Sequence, residues 1–127
     1  MKKQKPKKCD IKYLEIPNIC FSLTRKGDDR EKKYKKQRIK RGFDDSETWS
    51  LRDTIARFII PRLELYEEFA NKIIIRDDKL KKDIQLFLEA MKLISRNNGI
   101  CIWNKKEEKI VSKGLNAFPR MFMSLWW

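Results

Sequence analysis

The sequence predicts a mainly α protein: a small helical bundle of about three amphipathic helices with a basic, partly extended N-terminal arm. Two observations lead there. Between residues 51 and 126 the apolar side chains recur in three stretches at the three-and-four spacing of a helix. The charge is also lopsided: residues 1–42 hold sixteen Lys/Arg against five Asp/Glu, and residues 43–127 hold fifteen against thirteen. The chain has 127 residues, 41% of them hydrophobic, which suits one modest core. The reading is therefore an arm over 1–41 and a helical domain over 42–127.

Residues 1–8 are nearly all Lys, Gln and Pro and read as a disordered basic tail. Residues 11–24 are more apolar and β-branched but broken by Pro17, so they read as short strands or an extended segment. Arg25-Lys26-Gly27 makes a break. Asp28 or Asp29 is placed to cap a helix starting near Arg30. From Lys32 to Arg41 seven of ten residues are basic and none is acidic. Only Tyr34 and Ile39 are apolar there, so a solvated helix and a segment that folds on binding both fit. Gly42 ends it, and Gly42 to Glu47 is a turn signal.

Ser50 and Asp53 match a capping box. Behind it Leu51, Ile55, Phe58, Ile59, Leu63, Tyr66 and Phe69 form an apolar stripe. Pro61 removes the hydrogen bond to the Arg57 carbonyl and predicts a kink. Asp77 or Asp78 caps the next helix, whose stripe is Ile84, Phe87, Leu88, Met91 and Ile94; Asn97-Asn98-Gly99 stops it. Ile100 to Trp103 reads as a short extended piece. Asn104 caps a last helix with Val111, Leu115, Phe118, Phe122, Leu125 and Trp126 on one face. Pro119 predicts a second kink, and Gly114 weakens the middle.

The formal net charge of +13 speaks of partners rather than fold. No apolar stretch follows the basic start, and no apolar run approaches the ~20 residues that span a bilayer, so no membrane role is expected. Cys9, Cys20 and Cys101 are widely spaced and read as reduced thiols of a cytoplasmic protein. With no His, no Gly-rich phosphate loop and no nucleophile elbow, no catalytic residue, metal ligand or cofactor is assigned. A metal-dependent nuclease built on Asp44, Asp45 and Asp53 is a minor alternative.

The basic run is the leading candidate site: Lys32, Lys33, Tyr34, Lys35, Lys36, Arg38, Lys40 and Arg41. Such cations neutralise phosphates and release counterions, and Tyr34 and the arginines are of the type that stacks on bases. A candidate pocket groups Asp44, Asp45, Trp49, Arg57 and Arg62. The two acids can orient a ligand or simply cap the turn, and the two arginines can clamp a phosphate or pair with acids such as Asp53 and Glu67. The end from Phe122 to Trp127 either completes the core or forms a partner or self-association surface.

The stretch from Gly42 to Leu63 resembles an uncharacterised family of small bacteriophage proteins. The resemblance lies in a Gly-aromatic-acid turn (Gly42, Phe43, Asp44), a Trp-Ser-Leu triplet (Trp49, Ser50, Leu51), Ile55-Ala56 and Pro61-Arg62-Leu63. Gly114, Leu115, Phe118, Phe122, Leu125 and Trp126 are similar to the family's C-terminus, while Arg52 stands where members often carry an acid. The resemblance implies a phage-encoded protein in the cytoplasm of an infected host cell. The combined expectation is a non-enzymatic binding protein acting on a phosphate-rich partner: a nucleic acid, a signalling nucleotide or a nucleic-acid-loaded host defence complex. The alternative is a protein-binding or self-assembling accessory protein that inhibits a host factor, homo-oligomer included.

Overall fold

The computed structural model describes residue 24 and residues 27–73, 78–96 and 102–126. Among the described residues four α-helices follow one another: α1 (Glu31–Arg41), α2 (Leu51–Ile73), α3 (Asp78–Ser95) and α4 (Lys105–Phe122). A single 3-10 turn, Asp45–Thr48, lies between α1 and α2, and there is no strand among the described residues. The three amphipathic helices expected from sequence are present, and the basic run forms a fourth. The extended arm over 1–23, the Asp77 cap and the Asn97–Gly99 stop lie outside the described residues. By contacts the chain forms two units, Met1–Leu51 and Arg52–Trp127, a division ten residues beyond the end of the arm expected from sequence.

In the first unit, Asp28 organises the start of α1. Its carboxylate accepts the Arg30 N–H at 2.9 Å, and its carbonyl accepts the Glu31 N–H. The residue before the helix is thus Arg30, which has no side-chain cap of its own. Gly42 closes α1 at φ 88°, donating its N–H to the Arg38 carbonyl. A Cβ there would meet nothing within 4 Å, so it is the left-handed backbone, not space, that favours glycine. Asp44 then caps the 3-10 turn: its carboxylate accepts the Ser46 N–H at 2.9 Å while Glu47 accepts the Asp44 N–H at 2.6 Å.

The core of the second unit is built around α3. Ile84, Phe87, Leu88, Met91 and Ile94 are all buried, as their spacing predicts, and each contributes about 2 kcal/mol through burial. Against them lie Val111 and Met121 of α4 and Ala56 and Leu63 of α2. Asn104 caps α4 through a reciprocal bond pair with Glu107.

The buried faces of α2 and α4 differ from the sequence stripes. On α4 the buried residues are Val111, Gly114, Ala117 and Met121, whereas Leu115 and Phe122 are exposed. On α2, Ala56, Leu63 and Ala70 are buried while Ile55, Phe58 and Phe69 are exposed. Close helix approach selects small side chains, and Gly114 shows it most directly. A Cβ there would overlap Ala90 Cβ and the Leu86 carbonyl of α3.

Both helices run on as single elements through their prolines, Pro61 and Pro119. In each case the following arginine donates to the carbonyl four residues earlier: Arg62 to Phe58 at 2.9 Å and Arg120 to Asn116 at 3.0 Å. A proline disturbs the carbonyls of the turn before it, and these guanidinium groups supply a donor at that turn. The Tyr66 hydroxyl lies 3.1 and 3.0 Å from the carbonyls of Ser124 and Trp126 and is shared between them, which ties the chain end to α2. No helix among the described residues is long and apolar enough to cross a membrane.

Candidate polyanion-binding face

Helix α1 has two faces of different chemistry. Glu31, Tyr34, Gln37, Arg38 and Arg41 recur at three-and-four spacing and make its intramolecular contacts. Arg38 bridges Glu31 and Asp44 in two short ion pairs; its side chain is 10% exposed and that of Asp44 is wholly buried. Burial alone would lower the Arg38 pKa, and the bonds to Asp44 and Glu31 more than offset it, holding the guanidinium above its usual value. Gln37 donates to Asp45 at 2.9 Å and accepts the Asp45 N–H at 2.9 Å; Arg41 pairs with Asp45 at 2.7 Å. The bonds from Gln37 and Arg41 hold the Asp45 carboxyl below the usual range. Burial pushes Glu47 the other way, upward.

These acids pair with arginines on one face, and Lys33 adds only a weaker electrostatic pull on Asp45. Lys32, Lys33, Lys36 and Lys40 are exposed on the rest of the helix and have no ion-pair partner among the described residues; Lys35 is half-buried. Lys32, Lys36 and Lys40 follow at intervals of four, about 6 Å apart along the axis. The basic run thus divides into a structural set (Arg38, Arg41) and an outward lysine ridge.

The aromatic residues divide in the same way. Tyr34, expected from sequence to stack on a base, is only 6% exposed and so is a packing residue. Trp49, 52% exposed, meets it edge-on at a centroid distance of 6.1 Å. The guanidinium of Arg30 lies 4.9 Å from the Trp49 ring and is itself held by Asp28 at 2.9 Å. Exposed Phe43 carries the Arg41 guanidinium at 4.4 Å. Arg30 and Phe43 were not selected from sequence as contact residues. Nothing in residue spacing marks a cation–aromatic stack made across a turn.

The five residues grouped as a candidate pocket are shared between the two units. Asp44 and Asp45 serve the turn and α1, as their cap reading has it, and Trp49 stands exposed beside them in the first unit. In the second unit, Arg57 pairs with buried Asp53 at 3.0 Å, one helical turn away. Arg62 lies 4.0 Å over the Phe58 ring, while Glu67 accepts instead from Gln85 at 2.7 Å. Among the described residues no three Asp, Glu, Cys or His side chains are gathered so as to hold a metal ion. Comparison with family models, curated proteins and solved structures gives no match to this chain.

Proposed function

We propose that the protein is a non-enzymatic binder of nucleic acid, with the lysine ridge of α1 on the phosphates and Trp49 stacking on a base. One observation carries the reading: Lys32, Lys33, Lys36 and Lys40 stay exposed while Glu31, Asp44 and Asp45 pair with Arg38 and Arg41. A ridge of this kind adds counterion release, and an exposed indole stacks on any base. Single-stranded nucleic acid suits it best, because unpaired bases can reach Trp49. Asp44 is unsuited to metal-assisted cleavage, being wholly buried between Arg38 and Ser46. The resemblance to small phage proteins favours a partner met in an infected cell, such as a nucleic-acid-loaded host complex, and a counter-defence role.

The test is titration of a labelled single-stranded oligonucleotide over a range of salt. Four lysine–phosphate contacts predict a slope of log affinity against log salt of about −3. A discrete nucleotide bound with little salt dependence would instead support a pocket ligand, and no binding at low salt would end the proposal.

A further inference from the structure

Ile55, Phe58, Leu65 and Phe69 of α2 are each between 39% and 51% exposed. With Arg62 they fall at intervals of three, four, three and four, the repeat of a coiled-coil seam. This row lies beside the buried face of the helix and is distinct from it. It borders an apolar groove of about 250 Å³ lined by Ile55, Ile59, Phe87, Met91, Leu115 and Phe118, whose far wall is α4. Leu115 and Phe122 of α4 are also about half exposed. This much apolar surface stays exposed outside both the buried core and the lysine ridge.

We infer that this face of α2 is the self-association surface of the protein, occupied by α2 of a second copy in antiparallel orientation. Three features select a second copy. The first is area: six side chains at about half exposure present roughly 600 Å² of apolar surface. At the roughly 65% apolar share of a homodimer interface that corresponds to about 900 Å² per partner, within the size range of stable complexes. The second is charge: α2 carries four bases (Arg52, Arg57, Arg62, Lys72) and four acids (Asp53, Glu64, Glu67, Glu68). A neutral helix in a chain of net charge +13 is where two copies meet with least repulsion, and it lacks the basic flanks of a membrane-surface helix. The third is the pattern itself. In a parallel pair Arg62 would face Arg62. In an antiparallel pair Ile55 meets Leu65 of the second copy and Phe58 meets Arg62, repeating between chains the stack already present within one, at 4.0 Å.

Such a dimer carries two lysine ridges, which doubles its valency for nucleic acid. The inference nonetheless stands on residues that the nucleic-acid reading does not use. It is tested on nuclease-treated protein at high salt, by sedimentation over a micromolar concentration range. The wild type is expected to be a dimer. Ile55→Lys and Leu65→Glu, each at an exposed site, are expected to be monomers with unchanged helix content by circular dichroism. The double variant is expected to regain association, because the antiparallel pairing sets Lys against Glu where a parallel one sets Lys against Lys. A monomeric wild type overturns the proposal and leaves the face to a different protein partner. Single variants as dimeric as the wild type overturn it too, and failure of the double variant overturns the antiparallel arrangement.

Discussion

Arg38→Met separates the two roles assigned to the basic run. The substitution keeps length and apolar stem but removes the charge that Asp44 and Glu31 share. Asp44 is wholly buried and would be left an uncompensated carboxylate; Glu31, 21% exposed at its side chain, would keep some water. Removing one partner of a buried pair costs about 3–5 kcal/mol, and the partly wet Glu31 sets the expectation at the lower end, about 3 kcal/mol. That corresponds to roughly a hundredfold more frequent opening of α1. Hydrogen exchange of the α1 amides measures it directly, free of any unfolding of the second unit. Lys36→Met, at an exposed site, should leave the same amides within about 0.5 kcal/mol of the wild type. Adding Asp44→Asn to Arg38→Met should recover most of the loss, because Asn still caps the 3-10 turn and the Asp44 charge is no longer there to be stranded. Exchange rates of Arg38→Met within twofold of the wild type would refute the structural role given to Arg38.

Gly114→Ala should destabilise the second unit by about 1–3 kcal/mol although Ala is the better helix former, because the added methyl overlaps Ala90 and the Leu86 backbone; a melting temperature at or above that of the wild type would contradict the close approach of α3 and α4. Trp49→Ala should weaken oligonucleotide binding roughly tenfold at constant salt and leave the salt slope unchanged, since it removes a stack and no phosphate contact; the titration that gives the slope reads both. Stability should also depend on pH with a defined sign. The Arg120 guanidinium holds Asp83 below the usual carboxylate range, and Arg96 does the same for Glu107. Groups whose pKa falls on folding add stability above their unfolded pKa and lose it as pH drops through the folded one. The second unit should therefore weaken on acidification below about pH 4, and Arg120→Met should flatten that limb in a pH series of denaturant midpoints.

How much of this could be read from the sequence depended on what set each buried face. The buried face of helix α3 was legible because its core is made of large apolar residues at regular spacing, Ile84 to Ile94. Asn104 was legible as a cap because capping is local, and so was the turn at Asp44. The buried faces of α2 and α4 were not, since hydrophobicity favours the largest apolar chains whereas close packing selected Ala56, Ala70, Gly114 and Ala117. A read-out weighted toward small residues at helical spacing would have found them. In the candidate site, the lysine ridge followed from composition. The withdrawal of Tyr34, Arg38 and Arg41 into structural roles did not, because all of their acid and aromatic partners but Glu31 come from beyond the helix, at Asp44, Asp45 and Trp49.

On the proposed reading the lysine ridge, not the whole basic run, holds the partner. It is tested most directly by measuring oligonucleotide affinity at one low salt concentration for the wild type and for the variant with Lys32, Lys33, Lys36 and Lys40 all changed to Gln. Binding should be lost in the variant while the amide protection of α1 persists. Binding within a few-fold of the wild type, with α1 intact, would contradict it.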